Sequence, residues 1–233
     1  ALGYPTIEDA ARGMDAILLT SVDGRQHREQ LAAVAGFGKP VYIDKPFACS
    51  AADARAMAEL SARKGVPLMS ASSIRYASSI AATGLDMSKI HGVETFGPTK
   101  LLDDYPGFYW YGVHSADLLF AHLGRGCTQV RTVHEENMDL IIGRWKAGRL
   151  GVVRGLRLPG ENPFGRILFG ETGVKCDIYK DDIPPAFMLM LTAIVDFFQT
   201  GHSPIAIEEI VEQMAFLEAA GQSMDNNGAT IRL

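Results

Sequence analysis

Between Asp15 and Ser72 the chain alternates short apolar runs with stretches of helical period, and that alternation leaves few folds open. Asp15 to Val22 (Asp-Ala-Ile-Leu-Leu-Thr-Ser-Val) reads as a buried strand. Gln26 to Phe37 reads as a helix stopped by Gly38 and Pro40. Pro40 to Pro46 is a second strand, Ser50 opens a helix that Gly65 ends, and Val66 to Ser72 is a third strand. Thr6 to Gly13 is a short helix in front of them, with Thr6 as its cap and Glu8 and Asp9 in its first turn. Strand, helix, strand, helix, strand requires parallel pairing with right-handed crossovers. Strands that are apolar throughout fit the interior of such a sheet. Residues 1–75 are therefore expected to form one βαβαβ half of a doubly wound sheet.

From about Arg75 the pattern changes. A short helix and a Gly/Pro-rich loop lead to an amphipathic helix over Gly112 to Leu123. Alternating segments follow at Thr128 to Glu136, Met138 to Trp145, Leu150 to Leu158, Phe164 to Phe169 and Val174 to Tyr179. Turns such as Lys146-Ala-Gly-Arg and Gly170-Glu-Thr-Gly join them, which is the signal of an antiparallel sheet. Helices over Ala186 to Thr200 and Ile207 to Gln222 close the chain. The expected second domain, residues 76–233, is of the α+β class.

Composition excludes several roles. The 233 residues are 47% hydrophobic and 21% charged, with a net charge of −5 and no basic block. Nucleic acid and anionic membrane are poor partners for such a surface. No apolar run is long enough to span a bilayer. Cys49, Cys127 and Cys176 make no close-spaced pair, so they read as reduced core thiols of a cytoplasmic protein.

The chemistry concentrates at three places. Asp44-Lys45-Pro46 lies at the carboxyl end of the second strand, where ligands bind in open α/β sheets. There Lys45 serves either as a solvated amine beside a capping Asp44 or as an acid/base and ligand-orienting group whose burial favours the neutral form. Thr20-Ser21-Val22-Asp23, with His27 beyond, forms the matching turn after the first strand. It is either an ordinary turn capped by Asp23 or a close approach for a ligand at a helix N-terminus. His114 and Asp117 share a helix face at a spacing of three, as a structural pair or as an oriented acid/base. Phe108-Tyr109-Trp110-Tyr111 precedes them, as core or as a stacking surface for sugar rings. His122 lies nearby, but no second cluster supports a metal.

In order and spacing these segments resemble the Gfo/Idh/MocA family of NAD(P)-dependent sugar and polyol oxidoreductases. Asp44-Lys45-Pro46 looks like that family's "EKP" segment, and Arg75 like its arginine after the next strand. Gly112, His114 and Asp117 look like its "GxHxxD". Phe197, Gly201, Pro204, Glu209, Glu218, Ser223 and Gly228 match its closing helices. The resemblance implies a Rossmann domain followed by an α+β domain with a large, open, mainly antiparallel sheet. It implies NAD or NADP as cofactor, held by Thr20, Ser21, Val22, Asp23, His27, Asp44, Lys45, Pro46 and Arg75. It implies Lys45 and His114 as catalytic groups, and a substrate site of Lys45, Tyr109, Trp110, Tyr111, His114 and Asp117. The expected partners are a sugar- or polyol-like small molecule and further copies of the chain, as a homodimer or homotetramer through the open sheet face.

Two departures qualify the expectation. The family's Gly-x-Gly-x-x-Gly is not in this sequence, and roughly sixty residues, about two βα units, would supply it. The expectation is that residues are missing ahead of Ala1. Trp110 stands where many members carry an Asp four residues before the histidine, so Asp103 or Asp104 substitutes, or His114 works with Lys45 alone. A scaffold that has lost dinucleotide binding and an NAD-dependent glycosidase are the alternative functions.

Overall fold

The computed structural model describes residues 3–81, 85–180 and 182–233. Ala1 and Leu2, with which the expected first domain opens, lie outside the described residues. The chain divides into two compact units, one of residues 1–71 with 190–214, the other of 72–189 with 215–233.

In the first unit, α1 (Ile7–Ala11) is capped by Thr6, whose hydroxyl accepts from the Asp9 N–H at 3.1 Å. There follow β1 (Ile17–Leu19), α2 (His27–Val34), β2 (Val41–Ile43), α3 (Ala51–Lys64) and β3 (Leu68–Met69). The strands pair in parallel in the order β1-β2-β3, with Ile17 beside Val41 and Val41 beside Leu68. This is the predicted βαβαβ arrangement. The regular strands are shorter than their apolar runs. Ser50 caps α3, its hydroxyl accepting from the Asp53 N–H at 3.0 Å, and Gly65 ends the helix at φ 64°, a conformation glycine adopts without cost.

The second unit is built on a seven-stranded sheet. After α4 (Ser78–Ala81) come β4 (Ile90–Pro98), α5 (Gly112–Leu123), β5 (Cys127–Glu135), β6 (Met138–Trp145), β7 (Leu150–Leu156), β8 (Gly165–Gly170) and β9 (Gly173–Ile178). Helices α6 (Ala186–Thr200) and α7 (Ile207–Asp225) and the short β10 (Ile231–Arg232) end the chain. The order is β10-β5-β6-β7-β4-β8-β9, antiparallel except between β4 and β7. Strand β4 and the edge strand β10 correct the sequence reading. Gly92, Gly97 and Pro98 give β4 the composition of a loop. The glycines are there for space: a Cβ on Gly97 would run into the Phe164 ring and stand 2.8 Å from Ser115 Oγ.

Helix α5 also departs from expectation. It is buried on nearly all sides, from Gly112 and Val113 through Leu118, Phe120 and Leu123, so its solvent-facing side is not the one an amphipathic helix presents. It packs on β4 and β7. Its Phe120 packs edge-to-face on Trp145 and Phe216, with centroids 5.4 and 5.7 Å away. On the opposite sheet face Val133, Leu150, Phe169, Val174 and Ile178 are exposed. Cys176 is also exposed on this face and Cys49 is half-buried, so only Cys127 is the core thiol expected of all three.

Candidate active-site residues and their supports

In the first unit the loops after β1 and β2 are fastened to each other. Backbone pairing carries Asp44 N–H to Leu19 O at 2.8 Å, one step past the strands. Gly24 lets the loops touch, since a Cβ there would lie 2.8 Å from Pro46 Cγ and 2.9 Å from Pro46 O. His27 bridges them: Nδ1 faces Pro46 O at 3.0 Å and Phe47 O at 3.3 Å, and Nε2 faces Ser21 O at 3.0 Å. His27 is fully buried and joins the two loops. Pro46 is likewise buried, and the Lys45–Pro46 peptide is cis.

What these loops present is Asp44 and Lys45, both half-buried, with Thr20 and Val22 exposed at the carboxyl end of β1. Asp23 is engaged locally. It accepts from the Arg25 N–H and from the Arg25 guanidinium at 2.7–3.0 Å, which lowers its carboxyl from the usual range. Asp23 thus caps the turn over 24–26.

In the second unit the seat of His114 is built by buried polar groups. Ser72 Oγ lies 2.7 Å from His114 Nδ1. The Ser72 N–H donates to Asp117 Oδ2 at 3.0 Å, and Arg75 grips Asp117 Oδ1 through Nε and Nη2 at 3.1 and 3.0 Å. The expected His114–Asp117 partnership is therefore indirect. Asp117 is 3% exposed and holds Arg75 and the Ser72 backbone, while the hydroxyl of Ser72 holds the imidazole. Asp117 thereby ties Arg75 to the Ser72 backbone beside His114. Tyr76, next to Arg75, has its hydroxyl pushed up to about 12, by burial first and by the Asp117 charge second.

Aromatic rings flank His114. Tyr111 lies 5.5 Å from it and Phe164 5.6 Å, both edge-on, and Trp110 packs on Tyr105 and Tyr111 at 5.3 and 6.3 Å. Tyr109 is 2% exposed, a core residue and not part of a pocket wall as expected. Trp110 and Tyr111 remain partly accessible. Asp103 and Asp104 lie exposed in the loop before them. Sequence reasoning missed Ser72 and Phe164. A serine closing an apolar strand carries no signal by itself, and Phe164 comes near His114 only through the register of β8.

His122, about two turns beyond His114 along α5, is held by a buried arginine. Its Nε2 accepts from Arg166 Nη1 at 3.0 Å, and Arg166 is fully buried with Asp177 as its carboxylate at 3.0–3.2 Å. Among the described residues no group of His, Cys, Asp and Glu is placed to hold a metal ion. No helix among them is long and apolar enough to cross a membrane.

Residues 3–72 match the oxidoreductase family with an NAD-binding Rossmann fold, Gfo/Idh/MocA. No curated protein matches the chain in sequence. Among solved structures, GenD2 from gentamicin A biosynthesis, in complex with NAD, is 17% identical at a TM-score of 0.80, covering 99% of this chain and 82% of its own. The myo-inositol dehydrogenase of Lactobacillus casei, solved with NAD(H) and myo-inositol, is 15% identical at a TM-score of 0.80, covering 99% and 81%. The UDP-N-acetylglucosamine 3-dehydrogenase of Acidithiobacillus ferrooxidans is 14% identical at 0.77, covering 96% and 83%. These likenesses establish the fold: a parallel Rossmann-like sheet followed by a large, mainly antiparallel one.

Proposed function

We propose, on the premise that residues 3–72 carry the NAD-binding Rossmann pattern of the Gfo/Idh/MocA oxidoreductases, that the chain is a dehydrogenase or reductase of a sugar, polyol or related hydroxy compound. The observation that carries the reading is the half-buried Asp44-Lys45 pair at the carboxyl end of β2, on loops that His27 and Gly24 lock together. A site held this firmly orients a cofactor and a substrate, and orientation supplies much of the rate in hydride chemistry.

The nicotinamide cofactor, when bound, supplies the hydride acceptor or donor. The residues present suit its nicotinamide half: exposed Val22 offers an apolar surface, and Thr20, Asp44 and Lys45 offer polar groups beside it. A glycine-rich pyrophosphate loop is not among the 233 residues. Within this reading Thr20 to Asp23 and Asp44 to Pro46 line the cofactor, and Lys45 touches both cofactor and substrate. His114 meets the reacting oxygen, and Trp110 and Tyr111 flank the substrate. Residues 1–75 serve the cofactor and residues 76–233 the substrate and self-assembly. The solved myo-inositol and UDP-sugar dehydrogenases support the substrate class.

The exposed apolar face of the seven-stranded sheet supports a homodimer or homotetramer. Val133, Leu150, Phe169, Val174 and Ile178 together give a patch that a lone copy would leave in water.

The test is a fluorescence titration of the full-length gene product with NADH and NADPH, followed by turnover on inositols, aldoses and nucleotide sugars. Lys45→Ala is expected to abolish turnover while leaving the circular dichroism spectrum unchanged. Failure to bind either cofactor, or unchanged turnover in Lys45→Ala, defeats the reading.

A further inference from the structure

The hydrogen bonds around Ser72 bear on which nitrogen of His114 carries the proton. Ser72 is 1% exposed, so its hydroxyl has no recourse to bulk water. Its Oγ accepts from the Ile74 N–H at 3.1 Å, as the cap of the turn over 73–76. Oγ also lies 2.7 Å from His114 Nδ1. A serine hydroxyl has one proton to donate. Among the described residues the structure gives that proton no acceptor except Nδ1. The opposite polarity, Nδ1–H donating to Oγ, would leave the buried O–H unpaired, which costs its desolvation without return. The O–H therefore donates, Nδ1 is the acceptor, and in the neutral ring the proton sits on Nε2. The serine cannot swing to another arrangement cheaply, because its backbone N–H is held by Asp117, which Arg75 holds in turn.

A carboxylate partner would give the reverse. It accepts from Nδ1–H and leaves Nε2 bare as a base. We infer that Ser72 is the positioning residue of His114 and fixes its neutral imidazole in the Nε2–H form. Resting on the dehydrogenase reading above, neutral His114 meets the substrate oxygen as an N–H donor, the arrangement that binds and polarises a carbonyl oxygen. Proton exchange at Nε2 then requires the Ser72 hydroxyl to turn and accept from Nδ1–H, so Ser72 disfavours the imidazolium where a carboxylate would favour it.

The experiment is a long-range 1H–15N spectrum of the full chain carrying 15N-histidine, recorded above pH 8, with the His114 signals identified by their loss in His114→Gln. The expected wild-type pattern is a protonated Nε2 and a bare Nδ1. Ser72→Ala is expected to weaken the preference for Nε2–H and to move the two nitrogen shifts toward each other. Ser72→Asp is expected to reverse the pattern and to raise the pH midpoint of His114. Ser72→Thr, which keeps the hydroxyl, is expected to keep the wild-type pattern and serves if Ser72→Ala does not fold. Nδ1–H in the wild type, or an unchanged pattern in Ser72→Ala, overturns the assignment. NADH binding is read on the same samples. Binding with the wrong tautomer defeats only the role of Ser72, and the right tautomer without binding defeats only the enzymatic reading.

Discussion

Acidification offers a sharp test of the second unit, through His122. The ring is 8% exposed and its Nε2 faces the guanidinium of Arg166, which can only donate. Burial first, and the positive charge of Arg166 second, lower the His122 pKa from 6.5 to about 4. In the unfolded chain the same histidine titrates near its ordinary 6.5. Above that pH both states hold a neutral ring and pH has no effect through this group. As pH falls below 6.5 the unfolded chain takes up a proton that the folded chain refuses, so stability is lost progressively until about pH 4. The full gap corresponds to about 3 kcal/mol, of which about 2.5 kcal/mol is lost between pH 7.5 and pH 4.5. The assay is urea unfolding at a series of pH values, with His122→Gln as the reference. Glutamine keeps an acceptor for Arg166 and does not titrate, so carboxylate titrations are common to both proteins and cancel in the difference. The wild type is expected to lose about 2.5 kcal/mol more than His122→Gln over that interval. Parallel curves would refute the argument and mean that the folded state accommodates the imidazolium.

Asp117→Ala is expected to lower stability by about 3–5 kcal/mol, read as the urea midpoint, because it removes the buried carboxylate that holds both the Arg75 guanidinium and the Ser72 N–H. Gly97→Ala is expected to cost about 1–3 kcal/mol by driving the Phe164 ring from its seat beside His114, seen as changed His114 ring shifts along with a lower melting temperature. His27→Ala removes the bridge between the Ser21 and Pro46 carbonyls and is expected to cost about 2–4 kcal/mol, with weaker NADH binding by fluorescence.

Much of the fold was legible because the chain's own periodicities carried it. The bounds of β6 and α6 fell where the alternation and helical period put them, since each is a long segment with an uninterrupted pattern. Strand β4 was illegible for the opposite reason. Its glycines serve Phe164 and Phe169, which approach from β8 and the loop before it, and local sequence holds no record of such neighbours. The same limit applied to the site. The positions of Lys45 and His114 followed from strand ends and helix spacing. Their supports did not: Ser72 reaches His114, and Asp117 reaches Arg75, across 42 residues of chain. His27 and Asp117 are polar residues in promising places, and only their burial reveals them as braces.

The position of β4 has a kinetic consequence. Strands β5, β6 and β7, and likewise β8 and β9, can zip as hairpins as soon as each turn forms. Strand β4 cannot, because Val93 sits opposite Gly151 on one side and Leu168 on the other. The middle of the sheet thus closes only after the loop from β4 through α5 to β7 has been gathered in. Loop closures of that length slow folding more than they lower final stability. Until then the two hairpin groups present unpaired inner edges to any other chain in the same condition, so dilution during refolding should matter more for this protein than for one assembled from neighbouring hairpins alone.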